Sequence, residues 1–243
     1  KEGSTRGKRL LGLYYSHGIG TKENKDKALE LWRSAAEDDD AYSIYLIGKC
    51  YWLGDGVEED KTVAHEWLKR AVELEDHGSD QARFLLGLCQ YFGSGCDEDE
   101  EAAYVNFLDA VDAGIDQANY YVGVCNYKGH GTPRDYIKAA DHFEACAEID
   151  ADAAFYLGEC HRNGTGRKKD AKQAFEWYLK SAEQKEDDAQ MALGRAFYLG
   201  EEVSEDNVEA VKWFELAANQ GNAEAQYYLG ECHLKGFGVS ENE

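Results

Sequence analysis

One glycine recurs at a nearly constant interval along the whole chain, and this recurrence constrains the fold more than any other feature. Each copy follows an apolar residue, and successive copies are separated by 36, 39, 36, 35, 36 and 36 residues. Self-similarity at this period indicates supersecondary units that stack on their neighbours rather than one globular core. The glycines are Gly12, Gly48, Gly87, Gly123, Gly158, Gly194 and Gly230.

Two further signals keep a fixed distance from the recurring glycine. Six and eight residues after it comes a Gly-x-Gly turn, except that the sixth copy has Gly200 followed by Glu202. Glycines there predict positive φ and the end of a first helix, helix A. Twelve residues after it stands Asp or Asn, which predicts the N-cap of a second helix, helix B. These caps are Asn24, Asp60, Asp99, Asp135, Asp170, Asp206 and Asn242.

Helix B carries small residues four and eleven positions after its cap, with a bulky residue between them. A helix interior glycine costs about 1 kcal/mol relative to alanine, so its recurrence in helix A predicts a close approach of two helices. We call this expected contact between helix A and helix B of one repeat the seam. It is tested most simply at Gly123. The bulky residues, eight after each cap, are Trp32, Leu68, Phe107, Phe143, Tyr178 and Phe214.

The order of these residues resembles the Sel1-like repeat, a relative of the tetratricopeptide repeat, through the whole chain. The last copy matches best, with Leu229-Gly230 followed by Gly236-Phe237-Gly238-Val239. The family's tryptophan is present as Trp67, Trp177 and Trp213 and is replaced in three copies by Leu31, Asn106 and His142.

The resemblance and the periodicity together predict an all-α fold, a right-handed α-solenoid of about six and a half helix-turn-helix repeats. We expect residues 1–243 to form a single array. The approximate repeats are 1–39, 40–78, 79–114, 115–149, 150–185, 186–221 and a partial 222–243.

Charge excludes several classes of partner. With 26 basic and 48 acidic side chains the formal net charge is −22, which repels phosphate backbones and anionic membranes. No apolar run approaches the roughly 18 residues of a membrane-spanning helix. We expect neither nucleic-acid binding nor membrane insertion, and a protein or peptide partner with basic residues is favoured.

Cysteines and histidines show no arrangement typical of a metal or disulfide site. Five cysteines follow the recurring glycine by two residues and are expected in the core. The resemblance implies a disulfide only in a bacterial subfamily whose cysteine spacing is absent here, so a reducing, cytoplasmic compartment is favoured. The five are Cys50, Cys89, Cys125, Cys160 and Cys232.

The remaining motifs do not indicate catalysis. Cys160-His161 and Cys232-His233 are adjacent pairs, and adjacent helical residues point about 100° apart, so no zinc site is expected. The Gly-x-Gly turns lack the strand and the Lys-Ser/Thr of phosphate-binding loops. We predict no catalytic residues, no metal and no cofactor, hence not an enzyme.

The resemblance to tetratricopeptide arrays implies that helix A lines a concave groove, with ligands contacting the residues one and four after its glycine. Whether the aromatic residues among them face this groove or are buried against the next repeat is left open. The candidate protein-binding residues are Trp52, Tyr91, Tyr127, Arg162 and Tyr198 (four after) and Lys49, Leu88, Glu159 and Arg195 (one after).

The predicted function is therefore a non-catalytic protein–protein interaction scaffold or adaptor that holds a partner segment in this groove. Basic residues of the partner would meet Glu159 and Glu231. Two alternatives come from the resemblance. In the first, the array is a repeat appendage of a larger enzyme. In the second, it is a β-lactam-binding or β-lactam-hydrolysing protein of the bacterial Sel1-like type.

Overall fold

The computed structural model describes residues 4–75, 78–201 and 203–239. Within these residues the secondary structure consists of thirteen helices and no strand. The helices are α1 (Thr5–His17), α2 (Lys25–Ala36), α3 (Ala41–Leu53), α4 (Lys61–Glu73), α5 (Ser79–Tyr91), α6 (Glu100–Asp112), α7 (Ala118–Lys128), α8 (Tyr136–Cys146), α9 (Ala151–Asn163), α10 (Ala171–Glu183), α11 (Asp187–Leu199), α12 (Asn207–Asn219) and α13 (Ala223–Lys235). The all-α helix-turn-helix fold is confirmed. Odd-numbered helices are the predicted A helices and even-numbered helices are the B helices.

The contacts divide the chain into two compact units. The first unit comprises residues 1–118 and 130–132, and the second unit comprises residues 119–129 and 133–243. In the first unit α1 packs on α2, α3 on α4 and α5 on α6. In the second unit α9 packs on α10 and α11 on α12, while α12 also packs on α13.

The predicted caps begin the B helices. Asp60 accepts hydrogen bonds from the amides of Thr62 and Val63 at 3.0 Å, and Asp206 does the same for Val208 and Glu209. Equivalent caps start all six B helices, whereas Asn242 lies outside the described residues. The cap residues are Asn24, Asp60, Asp99, Asp135, Asp170 and Asp206.

The recurring glycine lies against the bulky residue of the following B helix, as expected at Gly123. A Cβ added there would lie 2.5 Å from Phe143 Cε1, far inside van der Waals contact. The same contact joins Gly194 to Phe214 at 2.5 Å and Gly158 to Tyr178 at 2.7 Å. Absence of a side chain therefore allows a buried ring or branched residue to lie directly on the backbone of helix A.

From the second repeat on, the second glycine of each turn packs against the B helix of the preceding repeat. Gly166, at φ +72°, lies against the backbone carbonyl of Tyr136 at the start of α8, and an added Cβ would clash with that oxygen. Gly238 lies in the same way on Asn207 at the start of α12. Glu202, which replaces this glycine in the sixth copy, lies outside the described residues. The second turn glycine thus serves two needs, a left-handed backbone and close approach to the preceding B helix.

The five equivalent cysteines are core residues, as the sequence predicts. Cys89, Cys125, Cys160 and Cys232 are fully buried and Cys50 nearly so. Burial raises the pKa of the Cys89 thiol to about 12, and that of Cys160 to about 11. The Cys89 and Cys160 thiols therefore stay neutral and act as small apolar groups. None of the seven cysteines, all of which lie in the described residues, forms a disulfide.

Equivalent glycines in different surroundings allow a matched test of the seam. We expect Gly194→Ala to lower the free energy of unfolding by about 1–3 kcal/mol, because the new methyl overpacks against buried Phe214. Gly230 has no described atom outside its own helix within 4 Å of an added Cβ. Gly230→Ala should therefore raise stability by up to about 1 kcal/mol through helix propensity. Urea denaturation measures both variants, and equal effects of the same sign would contradict the packing account.

Candidate functional site

In the first unit, the aromatic residues four after the glycine are half-buried and have internal partners. The Lys61 ammonium lies 4.0 Å from the centre of the Trp52 ring and also donates to the Trp52 carbonyl. Tyr91 packs at 6.1 Å from the Phe107 ring, and its hydroxyl lies 2.9 Å from His130 Nδ1 in the next turn. These side chains therefore contribute to packing between helices as well as to the surface.

In the second unit, Tyr127 and Tyr198 occupy the same kind of seam. Tyr127 lies edge-on to Tyr156, 5.5 Å between ring centres, and 6.3 Å from Phe143. Tyr198 lies 6.2 Å from Phe214 and 5.7 Å from Tyr228. Burial is the main cause that raises the pKa of Tyr127, which agrees with its partly enclosed position. Each ring thus contacts the B-helix ring of its own repeat.

These contacts lead us to expect a structural contribution from the tyrosines. The Tyr91→Ala, Tyr127→Ala double variant should lose about 3–5 kcal/mol or more of stability, because truncating a packed ring leaves a void at each seam. Thermal melting measures the loss. The control is Leu216→Ala, which removes an apolar side chain from the exposed surface of α12 instead of from a contact between helices. A double variant that melts like this control would instead place the rings outside the core and favour the groove interpretation.

The charged candidates Glu159, Arg162 and Arg195 come together at one cavity of 220 Å³ in the second unit. They share its lining with residues that sequence reasoning did not select. On α9, Phe155, Glu159 and Arg162 follow the i, i+4, i+7 spacing of a single helix face. We name this space the Ala192 cavity. Its lining is Phe155, Glu159, Arg162, Asp188, Met191, Ala192, Arg195 and Glu224, from α9, α11 and α13.

Glu159 is largely occupied by internal partners, three hydrogen bonds and one ion pair. The Tyr178 hydroxyl donates to its Oε1 at 2.5 Å, and Arg162 Nε lies 3.1 Å from the same oxygen. Arg162 Nη2 and Asn163 Nδ2 donate to Oε2 at 3.4 and 3.0 Å. A carboxylate offers about four acceptor positions and three are filled, so Glu159 has at most one left for a ligand. Its role in the cavity is to hold the Arg162 side chain and the Tyr178 ring in place.

The other carboxylates of the cavity are less fully occupied. Asp188 accepts one hydrogen bond on Oδ1, at 2.9 Å, from the Asn222 amide that also bonds Asp187. Glu224 Oε1 lies 4.0 Å from Arg195 Nη1, at the outer limit of an ion pair. An exposed pair of that geometry contributes about 0–1 kcal/mol. Asp188, Glu224 and Arg195 are therefore the charges of this cavity that can rearrange around a ligand.

A single small residue distinguishes the site of this cavity from the other repeats. Two residues before the recurring glycine, every repeat except the sixth has a large side chain, and the sixth has Ala192. In the neighbouring repeats the equivalent Tyr156 stacks on Phe143, with ring centres 5.1 Å apart, and Tyr228 stacks on Phe214 at 5.3 Å. The large residues at this position are Leu10, Leu46, Leu85, Tyr121, Tyr156 and Tyr228. The missing ring of the sixth repeat accounts for the open space beside Met191.

The remaining candidates lie in the first unit. Lys49 lines a smaller cavity of 80 Å³ between α1 and α3, together with Leu13, Ser16 and Trp32. Its side chain is exposed, whereas Leu88 on α5 is half-buried. Both cavities therefore open between consecutive A helices. Among the residues that line the 80 Å³ cavity, Lys49 is the one that the sequence analysis had selected.

Carboxylates also crowd the beginnings of α9 and α11. Burial, opposed by amide hydrogen bonds and reinforced by Asp188 and Asp187, raises the pKa of Glu186 to about 7. Burial together with Asp150, Asp187 and Asp188 raises the pKa of Asp152. In the described part of the chain no lysine or arginine forms an ion pair with these five carboxylates. A negative field therefore extends from this edge of the A helices.

The raised pKa of Glu186 predicts a pH-dependent stability. Because folding disfavours its charged form, its stabilising contribution is present below the ordinary pKa of 4.5 and is lost as pH rises through about 7. The Glu186→Gln variant has no carboxylate to ionise and does not lose this contribution. The difference in melting temperature, variant minus wild type, should therefore be more positive at pH 8 than at pH 5. Glu215→Gln, an exposed carboxylate on α12, controls for removing one charge. A difference that does not change with pH would contradict the assignment.

Residues 4–75, 78–201 and 203–239 contain no group of three His, Cys, Asp or Glu side chains placed to hold a metal ion. Over the same ranges no helix has the length and apolar character needed to cross a membrane.

Comparison with known proteins gives the family. The model described as the Sel1 repeat matches residues 6–40, 41–76, 80–114, 116–148, 151–186, 187–222 and 223–243. No curated protein matches the chain. Proteins of this family are generally protein-binding, and the fold is commonly an interaction scaffold.

Solved structures are similar over nearly the whole chain. A protective antigen present in uropathogenic Escherichia coli strains, which displays an SLR fold, has a TM-score of 0.81 and 28% identity, covering 96% of this chain and 50% of the antigen. A Sel1 repeat protein from Oxalobacter formigenes has a TM-score of 0.75 and 26% identity, covering 98% of this chain and 68% of that protein. The chain thus spans half the length of the antigen. With seven matched repeats over nearly all its residues, this chain belongs to the Sel1 repeat family.

Proposed function

We propose that this protein is a non-catalytic protein–protein interaction scaffold and that a segment of its partner binds in the Ala192 cavity. The observation that carries the proposal is the cavity itself. It lies between three consecutive A helices, beside the predicted positions Glu159, Arg162 and Arg195, and its other two carboxylates, Asp188 and Glu224, have few internal partners.

The composition of the cavity suits a peptide better than a small reactive substrate. Phe155, Met191 and Ala192 supply an apolar wall, and charged side chains surround it. Binding surfaces for proteins combine such apolar contacts with a polar rim. The lining contains no cysteine, serine or histidine to serve as a nucleophile or as an imidazole base. The alternatives of an enzyme appendage and a β-lactam-binding protein have no corresponding feature among these lining residues.

Ala192→Tyr is the variant that tests the proposal most sharply. It restores the ring present at the equivalent positions Tyr156 and Tyr228, so the fold already accommodates tyrosine there. We expect the ring to fill the cavity and to leave the melting temperature unchanged or higher. Peptides selected from a random displayed library on the wild-type protein should then lose affinity for the variant by about tenfold or more, a loss of about 1.4 kcal/mol.

A matched control separates blocking from a general effect of a new aromatic residue. Ala145→Tyr adds the same ring at an exposed position of α8 and should leave peptide affinity unchanged. If the selected peptides bind Ala192→Tyr as well as they bind the wild type, the cavity is not where the partner lies. The proposal would also be contradicted if no peptide selected from the library bound at the cavity.

A further inference from the structure

The Ala192 cavity combines an apolar wall with carboxylates that have incomplete internal pairing, and this combination restricts what it can hold. Phe155 and Met191 contribute apolar surface, and Met191 is 5% exposed. Of the three carboxylates, Glu159 already accepts three hydrogen bonds, from Tyr178, Arg162 and Asn163, and is paired with the Arg162 charge. The two carboxylates with the most capacity left for a ligand are Asp188 and Glu224.

The internal cations do not fully neutralise these two carboxylates. Arg162 is held by Glu159, with Nε 3.1 Å from Oε1, so its charge is already matched. Arg195 reaches Glu224 only at 4.0 Å. Asp188 has only the neutral Asn222 amide, bound at 2.9 Å, as its described hydrogen-bond donor. The cavity therefore has room for one further positive charge between α11 and α13.

The surroundings of the cavity reinforce this preference. Asp187 and Asp188 stand together at the start of α11, and their charges help to raise the pKa of Glu186 and Asp152. The whole chain carries a formal charge of −22. An approaching cation is thus attracted at long range and also at the site, whereas an acidic segment is repelled before contact.

We propose that the Ala192 cavity binds an arginine side chain of the partner segment, with its guanidinium between Asp188 and Glu224. This inference rests on the proposed function and names the chemistry of the partner. The aliphatic stem lies along Met191 and the planar group faces the Phe155 ring, an arrangement that favours arginine over lysine. Arg195 moves away from Glu224 on binding, so it acts as an internal competitor for the same carboxylate.

The sole methionine of the chain makes the experiment specific, because it lines the cavity. In protein labelled with ¹³C at the methionine methyl, Met191 gives one signal, assigned by its loss in Met191→Leu. The probe is a blocked heptapeptide with a central arginine flanked by leucines. Two matched probes carry citrulline, which keeps the shape without the charge, and glutamate, which reverses the charge.

We expect the arginine peptide to shift the Met191 signal in a saturable manner, the citrulline peptide to bind about tenfold or more weakly, and the glutamate peptide to cause no shift. Asp188→Asn with Glu224→Gln should weaken arginine-peptide binding by about tenfold or more. Arg195→Gln should strengthen it several-fold by removing the competitor. The control Lys212→Gln removes one positive charge from an exposed position of α12 outside the cavity lining. It should leave the affinity within about twofold, because salt screens a charge exposed to solvent.

The outcomes separate this inference from the function on which it rests. Equal binding of the arginine and citrulline peptides, tighter binding of the glutamate peptide, or weaker arginine binding in Arg195→Gln would each overturn the arginine assignment. So would the absence of any shift with the arginine peptide up to about 1 mM. Peptides selected from the random library that bind at the cavity without a cationic residue would leave the scaffold function standing and reject only the arginine.

Discussion

The contact between the helix A glycine and the bulky residue of helix B is the interaction on which the rest of this structure depends. At Gly123, Gly158 and Gly194, an added Cβ would lie 2.5–2.7 Å from ring atoms of Phe143, Tyr178 and Phe214. Overpacking of that degree has no room to relax in a close-packed interior. The contact fixes which faces of the two helices meet, and it therefore fixes which residues of helix A remain available to a ligand.

The candidate site arises where one repeat departs from this regular packing. In the repeats on either side, Tyr156 and Tyr228 stack on the B-helix ring of the preceding repeat, with interplanar angles of 14° and 13°. Ala192 offers no ring at that position, and the space is left open between α9, α11 and α13. A small side chain in place of a ring can thus open a cavity in a regular repeat array.

Much of the fold could be predicted from the sequence because its signals are local and repeated. The cap at Asp206 and the close contact at Gly123 each follow from a single residue type that recurs at one spacing. The site was only partly predictable. Glu159 and Arg162 were selected by their distance from the glycine, but Glu159 also accepts a hydrogen bond from Tyr178, which is nineteen residues away. Asp188 and Glu224 lie six residues before the glycine, outside the positions that the resemblance implied. The sequence signal for the cavity was Ala192, a small residue at a position where every other repeat has a large one.

A crystal structure of the Ala192→Tyr variant would show whether the missing ring at Ala192 creates the cavity. We expect the new ring to lie against Tyr178, as Tyr156 lies against Phe143, and to occupy the space beside Met191 and Phe155. The backbone of α11 should not move. A ring turned out to solvent, with the cavity still open between α9 and α13, would contradict the account.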